Sequence, residues 1–226
     1  MLGFRMAWLA TRRRSPAEAW VGLLFVATGL GGECFLLAFS HRTEPALAMR
    51  LAFVGFPALF VATLSGYAFT YTVFRRGEHW ALAVACAGTL LALWGSFQQL
   101  GGWSLQPDLS GPRTEFLLGR IACFAWGTFE GFRAYRMAKR RLALGLADRV
   151  VVNRFLLFGS WFGLMGLMPI TFALSRRYAG KRGLEQALAL PPIVVATLMI
   201  VALVLTFFPP RRYLEWVMRS GRGTPR

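Results

Sequence analysis

Three ionisable residues sit where an otherwise apolar sequence leaves little room for them: Glu33, Arg120 and Glu130. Each lies inside a run long enough to be a membrane-crossing helix. An ionisable group in hydrocarbon costs several kcal/mol unless it is paired or hydrated, so such residues are default candidates for function. Counted from the ends of their runs at helical rise, Glu33 and Arg120 lie about 9–11 Å deep on the same, outer, side. Equal depth on antiparallel neighbours would allow an ion pair, and Gln98 and Gln99 reach a similar or slightly shallower level. The four side chains are expected to form one outward-facing polar group, either as a lock between helices or as the wall of a binding pocket. Gly29, Gly31 and Gly32, beside Glu33, would let backbone or a ligand approach the carboxylate.

A second polar group is expected on the opposite side. Glu130 is followed by Arg133 one turn later, Asn153 and Arg154 open the next run, and Tyr67 and Tyr71 lie at comparable depth in an earlier one. Arg154 or Arg133 is the expected partner of Glu130, since long arginines near a span end can reach back to the headgroups or to a buried acid.

The elements that must position these residues follow from composition. The chain has 226 residues, of which 56% are hydrophobic and 16% charged, against about 25% charged in soluble domains. Its mean hydropathy is +0.48. Lipid is therefore the expected solvent, and the fold class is all-α, a polytopic bundle of about six spans in one membrane domain, residues 1–226. About 20 apolar residues cross the hydrocarbon core, and the runs that qualify are Ala17–Phe39, Leu47–Phe74, Trp80–Leu100, Phe116–Met137, Val150–Leu174 and Ala187–Phe208. Pro57 predicts a kink or tilt in the second.

Charge sets the orientation. With both termini in the cytoplasm, eighteen of the 26 basic residues fall on the inner side and Arg120 falls within a span. The group Arg176, Arg177, Lys181 and Arg182 strains this count, because the same topology puts it outside. Five of the eight tryptophans (Trp8, Trp20, Trp80, Trp103 and Trp216) fall near span ends, as an interfacial belt requires. The N-terminus reads as an uncleaved signal anchor. The preference for arginine over lysine suits GC-rich codons and a bacterial inner membrane. After Pro209-Pro210, residues Tyr213, Leu214, Trp216, Val217 and Met218 fill one helical arc and Arg211, Arg212, Glu215 and Arg219 the other. That pattern predicts a C-terminal interfacial helix facing anionic headgroups.

Other chemistry is excluded by what is missing. His41 and His79 lie in different loops, so bis-histidine haem, di-iron and zinc sites lack ligands. Cys34, Cys86 and Cys123 form no CxxC, and no HExxH or Walker loop occurs. No cofactor, metal or catalytic residue is expected. The net charge of +16 is explained by topology, so nucleic acid is not an expected partner. Gly127-x-x-x-Gly131 and Gly159-x-x-x-Gly163 predict close helix crossings, within the chain or in a homo-oligomer. The expected partners are membrane lipids, including anionic ones, and another membrane protein. The best functional expectation is a non-enzymatic sensor-like or accessory subunit that binds a hydrophobic or amphipathic ligand or a second membrane protein. A small transporter or channel lined by Glu33, Arg120 and Glu130 is the alternative, and a lipid-modifying enzyme a weaker third.

Overall fold

Several helix ends are set by local chemistry. The computed structural model describes residues 16–40, 44–102, 113–178, 184–207 and 209–219, and all regular structure among them is helical. The seven helices are α1 (Pro16–Ser40), α2 (Pro45–Phe74), α3 (His79–Gln99), α4 (Thr114–Ala143), α5 (Arg149–Tyr178), α6 (Leu184–Phe207) and α7 (Arg211–Arg219). Pro16 and Pro45 open α1 and α2, where a missing N–H removes no helical bond. Gly145, at φ +73°, ends α4: its N–H bonds Leu142 O at 3.0 Å while Leu146 N bonds Arg141 O at 2.8 Å. That double return satisfies carbonyls the helix would otherwise leave bare. Asp148 then caps α5, its Oδ1 accepting from Val150 N at 2.9 Å.

The turn from α2 to α3 is closed by side chains. Arg75 donates to both carboxylate oxygens of Glu78, at 3.1 and 3.0 Å, and its guanidinium lies 4.9 Å from the centre of the Trp80 ring. Trp80 Nε1 also donates to Glu78, and Tyr71 Oη accepts from Gly77 N at 3.4 Å. Gly77 takes φ +89°, which suits a residue without a Cβ.

Three helices among the described residues are long and apolar enough to cross a membrane: Ala46–Phe74, His79–Gln99 and Arg149–Thr171. Ile193–Phe207 and Arg211–Met218 meet the same test only as a pair, bent by 79°. The chain is thus a membrane protein by the length and apolarity of its helices. The middle of α4 carries Arg120, Glu130 and Arg133, which is why it falls short of the same apolarity. The first candidate span has 29 residues, or about 43 Å of helix, while the second has 21, or about 31 Å. Pro57 lies within the longer one, and the helix runs through it unbroken.

The chain divides into two compact units, Met1–Cys123 and Phe124–Arg226, with the boundary inside α4. In the first unit, contacts at glycine set the packing. A Cβ on Gly31 of α1 would stand 2.8 Å from Leu59 N and 3.0 Å from Gly55 O, so α1 and α2 touch backbone to backbone. A Cβ on Gly95 of α3 would stand 2.3 Å from Phe116 N, and one on Gly119 of α4 would stand 2.9 Å from Ala92 Cα. Phe56 and Phe116 meet edge to face at 5.8 Å within an apolar cluster that includes Ala52, Leu59 and Leu100.

The second unit follows the same rule. A Cβ on Gly131 would stand 2.7 Å from Gly159 Cα, and one on Gly127 would overlap the Phe162 ring at 2.4 Å. The spaced glycines of α4 and α5 thus serve packing inside the chain. Phe158 bridges onward, with Phe162 at 5.5 Å and Phe207 of α6 at 6.0 Å between ring centres. Arg176 and Arg177 lie in α5 without described side chains, and Lys181 and Arg182 fall outside the described residues.

These contacts make the glycines separable by substitution. Gly95→Ala is expected to destabilise the protein by roughly 1–3 kcal/mol, since two backbones must part. Gly29→Ala meets open space and should leave stability unchanged or slightly raised, because alanine favours helix. Thermal unfolding of both variants in mild detergent checks this pair.

Candidate functional site

Among the described residues of the first unit, the most enclosed charged side chain is Arg120, held by α2 and by its own helix α4. Arg120 stands one turn after Phe116 on α4, and its guanidinium lies 5.7 Å from the centre of the Phe116 ring. It is 8% exposed. Its Nη1 donates to Leu59 O at 3.0 Å and to Thr63 Oγ1 at 3.3 Å. Thr63 Oγ1 in turn donates to Leu59 O at 2.9 Å, so one turn of α2 presents a carbonyl and a hydroxyl together. A threonine hydroxyl in an apolar helix normally bonds the carbonyl one turn back. Here that habit leaves its lone pair pointing at an arginine.

The surrounding polar atoms are satisfied in the same way. Cys123 Sγ lies 3.4 Å from Thr63 O, and Gly66 makes room for that sulfur, since a Cβ there would stand 2.7 Å from it. Tyr67 is buried and donates to Gly119 O at 3.0 Å; Gly88 of α3 makes room for its ring. Arg120 and Cys123 are thus linked through Leu59 and Thr63 of α2, and the separate bond from Tyr67 to Gly119 O joins the same two helices, α2 and α4. Charge-assisted hydrogen bonds in a dry setting are the stronger kind, worth roughly 1.5–3 kcal/mol each.

Glu33 takes a different place. Gly31 faces Leu59 and Gly55 of α2. Two residues further along a helix turns by about 200°, and Glu33 is accordingly exposed on the face of α1 away from α2. Arg120 and Gly31 both meet α2 at Leu59; Glu33 lies on the far face of α1, whereas the guanidinium is turned to α2. Of the two glutamines, Gln99 is fully buried and its Oε1 accepts from Arg113 N at 2.7 Å, which ties the end of α3 to the start of α4. Gln98 is half-buried.

Tyr67 and Tyr71 belong to the first unit, and Glu130, Arg133, Asn153 and Arg154 to the second. Tyr71 serves the α2–α3 turn. Glu130 is 3% exposed, and Arg133 Nη1 reaches its carboxylate at 3.7 Å from one turn away. Asn153 Nδ2 donates to Tyr213 Oη of α7 at 2.7 Å, while Arg154 is exposed. Among the described residues no three His, Cys, Asp or Glu side chains gather to hold a metal ion.

No known protein family, curated protein or solved structure matches this chain. The site must therefore be read from its own chemistry. Arginine, hydroxyl, thiol and phenol are joined by hydrogen bonds to backbone carbonyls, an arrangement that fixes helices at a set register. Thr63, Gly119 and Cys123 are the members that sequence reading missed. A threonine at the depth of Arg120 on an adjacent run was the available signal, but hydroxyls in apolar runs usually bond only their own helix.

Substitutions separate the two relationships. Thr63→Val and Arg120→Met are expected to be non-additive by roughly 1 kcal/mol, because each removes a bond the other needs. Glu33→Gln and Arg120→Met should add within about 0.5 kcal/mol, as for residues that share no partner. Stability of the single and double variants in detergent reads out both cycles.

Proposed function

We propose that the chain is a non-enzymatic accessory subunit of a membrane assembly, and that it meets its partner along the outer face of α1. The observation that carries this reading is the exposure of Glu33 in the midst of an apolar helix. Leu23, Leu30, Glu33 and Leu37 are all exposed on α1. Their spacing of seven, three and four residues draws one continuous seam along a helix. Gly29 and Gly32 flank the carboxylate and have nothing within 4 Å of where a Cβ would stand.

The physical argument is one of cost. An acidic side chain facing hydrocarbon near mid-helix is unfavourable by roughly 3 kcal/mol. A neighbouring transmembrane helix that offers a basic or hydrogen-bonding side chain at that level removes the cost, and open glycines let its backbone come close. The partner is therefore a helix with Arg, Lys, His or an amide opposite Glu33. In this proposal α1 is one of six spans, both termini face the cytoplasm, and the membrane is a bacterial inner membrane, as the distribution of basic residues favours. A transport path would need Glu33 and Arg120 to face one lumen, whereas Glu33 lies on the face of α1 away from α2 and Arg120 is bonded to α2.

Photo-crosslinking in the native membrane tests the proposal. A photoreactive residue at Leu30 should form an adduct with one particular heterologous membrane protein. The same residue at Leu90, exposed on α3, should label lipid alone. Glu33→Leu should weaken the association on the order of a hundredfold and abolish the adduct. Lipid labelling from both positions would overturn the reading, and so would an adduct made only to a second copy of the chain.

A further inference from the structure

The second unit carries a feature that the α1 seam does not use. Helix α7 follows Pro209-Pro210 and stands at 79° to Ile193–Phe207. Ile193, Val194, Leu198, Ile200 and Val201 are exposed on that preceding segment, an apolar surface suited to acyl chains. A helix nearly perpendicular to a lipid-facing one lies along the membrane surface.

Two hydrogen bonds hold α7 to the start of α5. Asn153 donates to Tyr213 at 2.7 Å, and Arg149 Nη1 donates to Met218 O at 3.0 Å, at the end of α7 where carbonyls lack helical partners. Val217 is buried between these points, 8% exposed. Tyr213 and Val217 thus form the underside. At 100° per residue, Trp216 projects from one shoulder of the helix and Met218 from the other. Both are exposed, at 63% and 48%. The remaining arc carries Arg211, Arg212 and Glu215, all exposed. On this arc of α7 two arginines thus stand against one acid.

We propose that α7 is a lipid-surface foot that recognises anionic phosphate headgroups through Arg211 and Arg212, with Trp216 and Met218 seated among the acyl chains on either side. An apolar side chain on each shoulder beside a basic crest is the arrangement an interface requires. Two exposed arginines near an anionic surface bias the bound position by an order of magnitude or more. A soluble protein surface would leave Trp216 and Met218 in water on at least one shoulder, so lipid is the occupant that fits both.

Hydrogen exchange of the full-length protein in nanodiscs tests this. One set is made of phosphatidylcholine alone and the other of equal parts phosphatidylcholine and phosphatidylglycerol. The amides of residues 211–219 should exchange about tenfold more slowly in the anionic discs. Arg211→Gln with Arg212→Gln should remove that difference while leaving thermal unfolding unchanged. Trp216→Ser with Met218→Ser should speed exchange in both disc types. Equal exchange of the parent protein in the two lipids would overturn the proposal. Protection produced by inorganic phosphate in phosphatidylcholine discs would overturn it too, since a free anion would then suffice.

Discussion

In hydrocarbon, helices gain nothing by expelling water, because the tails around them are as apolar as the side chains they would bury. What holds them is the closeness of contact, and closeness is limited by side-chain bulk. Everything else in both units depends on meeting that limit. Gly31 brings the backbone of α1 against α2, Gly95 and Gly119 bring α3 and α4 together, and Gly131 meets Gly159 where α4 crosses α5. Only at such separations can Arg120 reach a carbonyl of a neighbouring helix, or Tyr67 reach Gly119 O.

The polar network of the first unit is a product of that closeness. Leu59 O serves its own helix, the Thr63 hydroxyl and the Arg120 guanidinium. A water-exposed arginine would gain little from such acceptors, since water offers equal ones. In a dry setting the same bonds oppose both rotation and sliding of α4 on α2. Polar atoms here act as pins in an apolar bundle, and apolar contacts supply the area.

Helices were legible in the sequence because length and hydropathy are one-dimensional properties. The runs at Leu47–Phe74 and Trp80–Leu100 sit within a residue or two of α2 and α3, and Pro, Gly and Asp mark the ends as turn chemistry demands. Position along a helix was legible for the same reason: Gly31, two residues before Glu33, and Arg120 both meet Leu59 of α2. Azimuth was not, because it depends on which face a helix turns to its neighbour. Gly31 decides that for α1, yet three glycines stand close together there and sequence spacing favours none of them. Thr63 escaped notice because its role arises only when α4 lies alongside. The amphipathic tail was readable as a pattern, whereas its attachment through Asn153 and Arg149 joins residues some sixty or more positions apart.

The hairpin of α2 and α3 has legs of unequal length, about 43 and 31 Å, joined at one end by the short clamp of Arg75, Glu78 and Trp80. The hydrocarbon layer is about 30 Å thick. The shorter leg matches it and the longer one does not, so the two cannot both stand upright with level ends. The long leg leans, or the lipid beside it stretches, or its first turns with the exposed Arg50 project into the headgroup layer, and elastic deformation costs fractions of a kcal/mol per ångström. The hairpin thus presents unequal apolar heights on its two legs. How such a hairpin stands in lipid is tied to acyl-chain length, a mechanical variable that no single side chain controls.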